Sequence, residues 1–217
     1  MLQKMFLKVG EYIPEYRSRA VVFLADTMDE FLAAEEILKN HGHKFRGVQL
    51  KSSLFVSLPQ LDIVTAVSIV LEDVLCLDDI FKKCQRKYME LIVPYSLFSA
   101  DLLKRCERAE RVIVSFSNEE ELAGLNEMFK AFITWKRFPL MLNVPLCKID
   151  VRDVKHAAEI YLRRMSGVVK PMACGGCLLQ RYCSFNGKGF VPVPLVDAEK
   201  YAGVLTFLSD EDSTARF

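Results

Sequence analysis

The chain has 217 residues, of which 51% are hydrophobic and 26% are charged, so it can bury a core and is not a disordered segment. Its 29 Lys and Arg residues balance 28 Asp and Glu residues, which leaves no electrostatic footprint for nucleic acid or an anionic membrane. No apolar stretch reaches the roughly 18 residues that span a bilayer, and the N-terminus carries charges too early for a signal peptide. We therefore expect a cytoplasmic protein with one sizeable α/β domain.

Apolar, β-branched runs alternate with helical patterns along most of the chain. The run 19–26 indicates a buried strand, and the helix after it has Thr27 as its cap, Glu30 as the capping-box partner and an end near Gly42. The stretch 52–65 shows no convincing helical pattern. Further strands are predicted at 44–50, 66–71, 89–94, 111–116 and 139–143, and further helices at 77–88, 100–108, 119–132 and 150–165.

This alternation predicts an α/β fold built on a parallel sheet, because the strands are apolar runs without a polar face. An open (β/α)6 barrel and a doubly wound sheet both fit six strands that are mostly followed by helices. The composition changes after Ser166, since residues 167–194 hold five of the ten glycines, three of the eight prolines and three of the seven cysteines. We therefore divide the chain into an α/β partial-barrel domain, residues 1–166, and a Cys-rich metal-binding extension, residues 167–217.

Four cysteines have a spacing that indicates one metal centre. In a reducing compartment, an odd number of clustered cysteines favours metal binding or catalysis over disulfides. Cys174 and Cys177 enclose two glycines, which permit the tight turn of a metal-binding knuckle, and Cys183 follows after five residues. Cys147 lies just past the last predicted strand, where the carboxyl ends of barrel strands gather, and is the natural fourth ligand.

Zinc and a [4Fe–4S] cluster both accept four thiolates. Structural zinc sites commonly use two knuckles of similar spacing, whereas this chain has one knuckle and two single cysteines at unequal spacing. That asymmetry, together with the glycines beside the sulfurs, favours the [4Fe–4S] cluster. Zinc stays the alternative.

The same residues resemble radical S-adenosylmethionine (SAM) enzymes of the SPASM/twitch type. Many of those proteins end a partial (β/α)6 barrel with a proline–cysteine loop, a helix, and then C-x2-C-x5-C followed by a glycine. The matching residues here are Pro145, Cys147, Cys174, Cys177, Cys183, Gly187 and Gly189, and the resemblance spans about residues 19–190. It implies that the four thiolates hold an auxiliary [4Fe–4S] cluster beside an active site.

The chain departs from that family at the loop after the first strand. Family members carry C-x3-C-x2-C there, and these three thiolates hold the cluster that binds and cleaves SAM. In this chain the loop after the first predicted strand begins at Asp26 and contains no cysteine, and the motif occurs nowhere else. Either the radical chemistry has been lost or the catalytic cluster lies on a partner protein, so we expect that the chain does not cleave SAM alone.

Three functions remain open at this point. The first is an iron–sulfur protein whose cluster transfers electrons, or anchors a substrate or a protein partner, in a modification or maturation system. The second is a zinc-binding α/β scaffold or interaction protein without a redox role. The third is a non-radical enzyme that uses the carboxylates at strand ends, Asp26, Glu72 and Asp73, although helix capping and loop solvation explain the same positions.

Three further cysteines, Cys76, Cys84 and Cys106, lie in or beside predicted helices among apolar residues. Free cysteine packs as a small hydrophobic residue, so we expect these to be buried structural thiols and not ligands.

Overall fold

Eight strands and five α-helices make up the computed structural model within the described residues. The strands are β1 Lys4–Leu7, β2 Ala20–Ala25, β3 Arg46–Lys51, β4 Ala66–Val70, β5 Tyr88–Pro94, β6 Arg111–Ser115, β7 Leu140–Leu142 and β8 Arg163–Met165. The helices are α1 Met28–Asn40, α2 Ser52–Ser57, α3 Leu77–Lys83, α4 Ala100–Arg105 and α5 Leu125–Thr134. The structure describes residues 4–43, 45–59, 61, 63–84, 87–137, 140–150, 163–165, 171–180, 183, 190–193, 196–197, 199–203 and 205–206.

All strands pair in parallel in one sheet of order β7-β6-β5-β4-β3-β2-β1-β8. The first seven strands lie in sequence order and curl into a half-barrel. The predicted α/β class with a parallel sheet is therefore confirmed, and the doubly wound alternative is excluded because it requires a strand order that reverses. β8 extends the sheet beyond β1, and β7 pairs with β6 alone among the described strands, so the half-barrel is open between β7 and β8.

The main hydrophobic core lies between the helices and the outer face of the half-barrel. Crossovers of one hand between neighbouring strands put the helices on a single face of the sheet. Phe31 of α1, Phe55 of α2 and Phe132 of α5 join one cluster with strand residues such as Phe23 and Leu91, and all five are at most 2% exposed. Three residues of the C-terminal extension belong to the same core, namely Leu179, Phe190 and Tyr201.

The inner face of the half-barrel carries a row of polar side chains that the sequence patterns do not reveal. Parallel pairing places Gln49, Ser68, Glu90 and Arg111 side by side on the neighbouring strands β3 to β6. The Ser68 hydroxyl donates to Glu90 Oε1 at 2.9 Å, and both residues are buried. Apolar residues flank this row towards the carboxyl ends of the strands, where Ile92, Ile113 and Leu140 form a second, smaller cluster.

Two strands lie where the sequence patterns predict none. β1 has only four residues, which is too short for a clear apolar pattern. Phe6 and Leu7 are 1% and 0% exposed, so burial of their side chains stabilises this strand. The predicted helix 150–165 is wrong at its end, since residues 163–165 form β8, which pairs in parallel with β1. The residues 151–162 of that predicted helix lie outside the described residues.

The predicted helix boundaries agree best with the structure where a local capping interaction sets the start of the helix. α1 begins after Thr27, whose hydroxyl accepts from the Glu30 amide at 3.3 Å while the Glu30 carboxylate accepts from the Thr27 amide at 3.2 Å. The predicted helices 77–88 and 100–108 end earlier, at residues 83 and 105. The predicted helix 119–132 begins as a 3-10 segment, Glu120–Gly124, before α5.

α2 forms in the stretch where no helix is predicted, and contacts distant in sequence explain it. The Ser52 hydroxyl accepts from the Glu72 amide at 3.0 Å, and the Ser53 amide donates to the Glu72 carboxylate at 3.1 Å. At the other end of the helix, the Lys83 ammonium donates to the carbonyl groups of Phe55, Val56 and Leu58. A six-residue helix held by partners about 20 to 30 positions away leaves no signature in its own sequence.

Candidate metal centre

The loop that carries Cys147 begins with a left-handed residue. Asn143 has a φ of +63°, and its side-chain amide donates to the Phe116 carbonyl at 2.9 Å, which joins the ends of β7 and β6. Val144 and Leu146 are 0% and 3% exposed and fix the loop to the core. Cys147 therefore lies in the short 3-10 segment Leu146–Lys148, half-buried, with its sulfur beyond the carboxyl end of β7.

The second group of cysteines lies on consecutive tight turns. The Cys174 amide donates to the Pro171 carbonyl at 2.8 Å, and the Cys177 amide donates to the Cys174 carbonyl at 3.2 Å. Gly176 has a φ of +76°, a conformation that side chains rarely adopt, so a glycine is required between the two cysteines. Leu179 is 1% exposed and fixes the end of this knuckle to the core.

The four cysteines predicted as ligands line one cavity. This partly open space, about 340 Å³ when its solvent-open part is included, is bounded by Cys147, Cys174, Cys177 and Cys183 together with Pro145, Leu146, Leu179, Gln180, Pro192 and Val193. Each of the four thiols is half-buried, and the Cys183 sulfur lies 4.0 Å from the Val144 carbonyl oxygen at the base of the Cys147 loop. The fold thus brings the loop after β7 and the C-terminal extension to the same place.

Burial raises the pKa of the Cys147 thiol above its ordinary value, and the neighbouring Cys183 and Cys177 act in the same direction. The Val193 amide opposes this effect by donating a hydrogen bond to the Cys147 sulfur at 3.3 Å, and the charge of Lys148 also lowers the pKa. A metal or cluster would supply the positive charge that a thiolate at this position needs, because coordination deprotonates a cysteine.

Glu119 connects the two segments that carry the cysteines, and no sequence pattern points to it. Its Oε1 atom lies 2.9 Å from the ammonium of Lys148, next to Cys147, and accepts from the Val191 amide at 3.0 Å. We call these three residues the Glu119 bridge. Both contacts lower the pKa of Glu119, the side-chain hydrogen bond with Lys148 most strongly. The carboxylate thus lies between the loop after β7 and residues 190–193 of the extension.

Zinc and a cubane cluster require different arrangements of four thiolates. Among the described residues, no group of three or more His, Cys, Asp or Glu side chains is placed so that it could hold a metal ion. A zinc ion needs its sulfurs about 2.3 Å from one centre, which puts the sulfurs about 3.8 Å from one another. In a cubane cluster each thiolate binds the iron at a different corner, so the four sulfurs lie on the outside of the cluster and do not share one metal ion.

The carboxylates that the sequence suggests as candidate catalytic residues do not line this cavity and instead form hydrogen bonds or ion pairs elsewhere. Asp73 caps a 3-10 turn by accepting from the Leu75 amide at 2.9 Å, and Asp26 lies 3.6 Å from Lys8 in an exposed ion pair. Hydrogen bonds from the side chain and the backbone amide of Ser53 lower the pKa of Glu72. This agrees with a role of Glu72 in capping the start of α2. None of the three strand-end carboxylates lines the cavity of the four cysteines.

The remaining cysteines differ from the four around the cavity. Burial raises the pKa of Cys84 to about 12 and that of Cys106 to about 11, so both thiols stay protonated, as expected for structural residues. Cys76 is only half-buried, and its thiol donates to the Asp73 carbonyl at 2.8 Å.

No family model, no curated protein and no solved structure matches the chain in comparisons with known proteins. Across the described residues, no helix has both the length and the apolar character needed to cross a bilayer.

Proposed function

We propose that this chain is an iron–sulfur protein whose [4Fe–4S] cluster is held by Cys147, Cys174, Cys177 and Cys183. In this proposal the cluster transfers electrons, or anchors a substrate or a protein partner, within a modification or maturation system. The protein resembles the radical SAM proteins of SPASM/twitch type in its auxiliary cluster but does not cleave SAM alone.

The observation that carries the proposal is the cavity that all four cysteines line. Sequence spacing predicts these four residues as ligands, and they come from two segments whose nearest members are 27 positions apart. Convergence of all four on one space is improbable for residues that have unrelated structural roles. The other three cysteines of the chain do not line this cavity.

The donor set fits a [4Fe–4S] cluster, and the unequal spacing of the cysteines favours it over zinc. Four thiolates without histidine or carboxylate are the usual ligands of a cubane cluster, and the mostly apolar wall of Pro145, Leu146, Leu179 and Val193 would shield it from water. When bound, the cluster would supply one-electron redox chemistry.

Two loops support the proposal that the chain does not cleave SAM alone. The first predicted strand is β2, and the loop after it leads directly into α1 at Thr27 without a cysteine. The strand that precedes it in the sheet is β1, and residues 8–19, which connect β1 to β2, contain no cysteine either. Neither loop can provide the three thiolates that hold a SAM-cleaving cluster. The expected result is therefore that the reconstituted protein, given SAM and a reductant, forms no 5′-deoxyadenosine.

The experiment that tests the proposal is anaerobic purification followed by metal and sulfide analysis. The protein should be brown, absorb near roughly 400 nm, and contain about four iron and about four sulfide per chain. A colourless protein that binds zinc with a stoichiometry of about one would instead establish the zinc scaffold. A protein without metal after anaerobic reconstitution with iron and sulfide would contradict both.

A further inference from the structure

The Glu119 bridge joins the two halves of the candidate metal centre through a single carboxylate oxygen. Lys148 is the residue after Cys147, and Val191 is two residues before Val193, whose amide donates to the Cys147 sulfur. The bridge and this sulfur hydrogen bond therefore act on the same pair of segments. Glu119 and the Cys147 sulfur thus each accept a hydrogen bond from a backbone amide of residues 190–193.

Glu119 is itself held in a fixed position. The Glu121 amide donates to Asn118 Oδ1 at 3.0 Å, and the Glu121 carboxylate accepts from the Ser117 amide at 2.6 Å. These two reciprocal contacts fix the turn after β6 in the way a capping box fixes the start of a helix. The backbone of Glu119 lies inside this turn, so its carboxylate is presented from a rigid part of the half-barrel.

The partners of the bridge are adapted to this contact. The Lys148 side chain is 24% exposed, less than the lysines of the other described ion pairs, which are 53% exposed or more. Its 2.9 Å separation from Glu119 is also the shortest among these ion pairs. Val191 is 69% exposed, so its position depends on its backbone hydrogen bond and not on burial of its side chain.

We infer that Glu119 is a positioning residue of the metal centre: it holds Lys148 and Val191 so that Cys147 faces the three cysteines of the extension and receives the Val193 amide hydrogen bond. This inference rests on the proposed function for the identity of the bound group. The bridge itself consists only of residues of this chain, so it can be tested in protein prepared without metal. Hydrogen bonds to ligand sulfur tune the potential of a cluster, so the bridge also sets redox behaviour through Val193.

The first test measures the reactivity of Cys147 in the metal-free, full-length protein. Wild type, Glu119→Gln, Glu119→Ala and the control Glu120→Ala are treated with iodoacetamide, and labelling at each cysteine is followed by peptide mass spectrometry. We expect labelling of Cys147 to be several-fold faster in Glu119→Ala than in wild type, and intermediate in Glu119→Gln, which keeps one carbonyl acceptor. Glu120 is exposed and neighbours Glu119, so Glu120→Ala should match wild type.

The second test uses the same proteins after anaerobic reconstitution with iron and sulfide. In Glu119→Ala the three cysteines of the extension still bind iron, but the corner served by Cys147 is weakened. We expect a [3Fe–4S] electron paramagnetic resonance signal after mild oxidation, and a lower midpoint potential in the fraction that keeps its full cluster. A purely structural role of Glu119 would lower thermal stability without moving the potential.

The outcomes separate this inference from the proposed function. Equal Cys147 labelling in wild type and Glu119→Ala would overturn the inference, while iron in wild type would leave the proposed function intact. Faster labelling in Glu119→Ala, with no iron in wild type, would keep the positioning role and reject the cluster. If Glu119→Ala does not fold by circular dichroism, Glu119→Gln decides the question, because it keeps the shape of the side chain but removes the charge that pairs with Lys148; Cys147 labelling equal to wild type in Glu119→Gln then overturns the inference.

Discussion

The phenol of Tyr95 occupies the space where a side chain at residue 124 would begin, and Gly124 is the residue that leaves this space open. The Tyr95 ring is stacked between Phe98 and Phe116, with centroid distances of 5.9 and 5.0 Å, so it has little freedom to move away. Gly124, the last residue of the 3-10 segment, thus permits the packing of α5 against the turn that follows β5.

Replacing Gly124 with Ala should therefore destabilise the protein despite the higher helix propensity of alanine. Overpacking of a fixed aromatic ring costs about 1–3 kcal/mol, which exceeds the roughly 0.5–1 kcal/mol that Gly→Ala gains in a helix. Urea unfolding measures the difference. Gly10→Ala is the matched control because nothing lies within 4 Å of its added carbon. Equal stability of the two variants would contradict the steric role of Gly124.

Lys83 should contribute more to stability than an ordinary surface lysine. Its ammonium donates to three carbonyl groups at the end of α2, so Lys83→Met leaves these carbonyls without their charged donor. We expect a loss of about 1–3 kcal/mol in the free energy of unfolding. The neighbour Lys82 forms only an exposed pair with Asp79 at 3.5 Å, so Lys82→Met should change stability by less than about 0.5 kcal/mol. Indistinguishable urea midpoints for both variants would reject this role.

His43 should make stability fall in mild acid. It is 1% exposed, its Nε2 atom lies 2.9 Å from the Tyr12 hydroxyl, and burial lowers its pKa, with smaller contributions from His41 and Arg46 in the same direction. Because the folded-state pKa lies below the unfolded value of about 6.5, the unfolded chain binds the proton first. The contribution of His43 to the free energy of unfolding is therefore fully present above about pH 6.5, and it decreases as the pH falls towards the folded-state pKa.

Urea unfolding at pH 7.5 and pH 5.5 tests the role of His43. His43→Gln should be less stable than wild type at pH 7.5 and should lose less stability between the two pH values. The exposed His41, replaced with Gln, should keep most of the wild-type pH dependence, because burial and not His41 makes the largest contribution to the lowered pKa of His43. If His43→Gln retains the full wild-type slope, another group is responsible.

We expect Cys177 to be necessary for metal binding and for stable folding of the C-terminal extension. Cys177→Ala removes one ligand from the centre of the knuckle, so we expect anaerobically reconstituted protein to lose most of its iron and its absorbance near roughly 400 nm. Because metal binding contributes to folding free energy, the extension should also become more sensitive to proteolysis. Cys76→Ala is the control, since Cys76 does not line the cavity and should leave iron content unchanged. Wild-type iron in Cys177→Ala would exclude this residue as a ligand.

The sequence predicts those parts of the molecule that local chemistry decides. Strands β2 to β7 are apolar runs, and α1 has a capping box between Thr27 and Glu30, so both kinds of element are visible within a few neighbouring residues. The knuckle between Cys174 and Cys177 belongs to the same class, because its glycines are adjacent to the sulfurs. Spacing alone also selects the cysteines that line the cavity, although it cannot select the group they bind.

Elements held by distant partners escape a sequence pattern. α2 depends on Glu72 and Lys83, and β8 depends on pairing with β1 at the other end of the chain. Glu119 gives no signal because one glutamate in the acidic run 119–121 is not distinguishable from its neighbours until the fold places it between Lys148 and Val191. The row from Gln49 to Arg111 is likewise visible only when the strand register is known.

The division of the cysteines between two segments has a consequence for the order of assembly. Cys147 is available as soon as β6 and β7 have paired, whereas Cys174, Cys177 and Cys183 follow later in the chain. A cluster bound by all four would close a loop of 27 residues between Cys147 and Cys174, and it would constrain the chain much as a covalent crosslink does. Cofactor loading would then act as a checkpoint that is passed only when the extension has joined a folded half-barrel. Oxidative loss of the cofactor would reverse that step and release the C-terminal extension first.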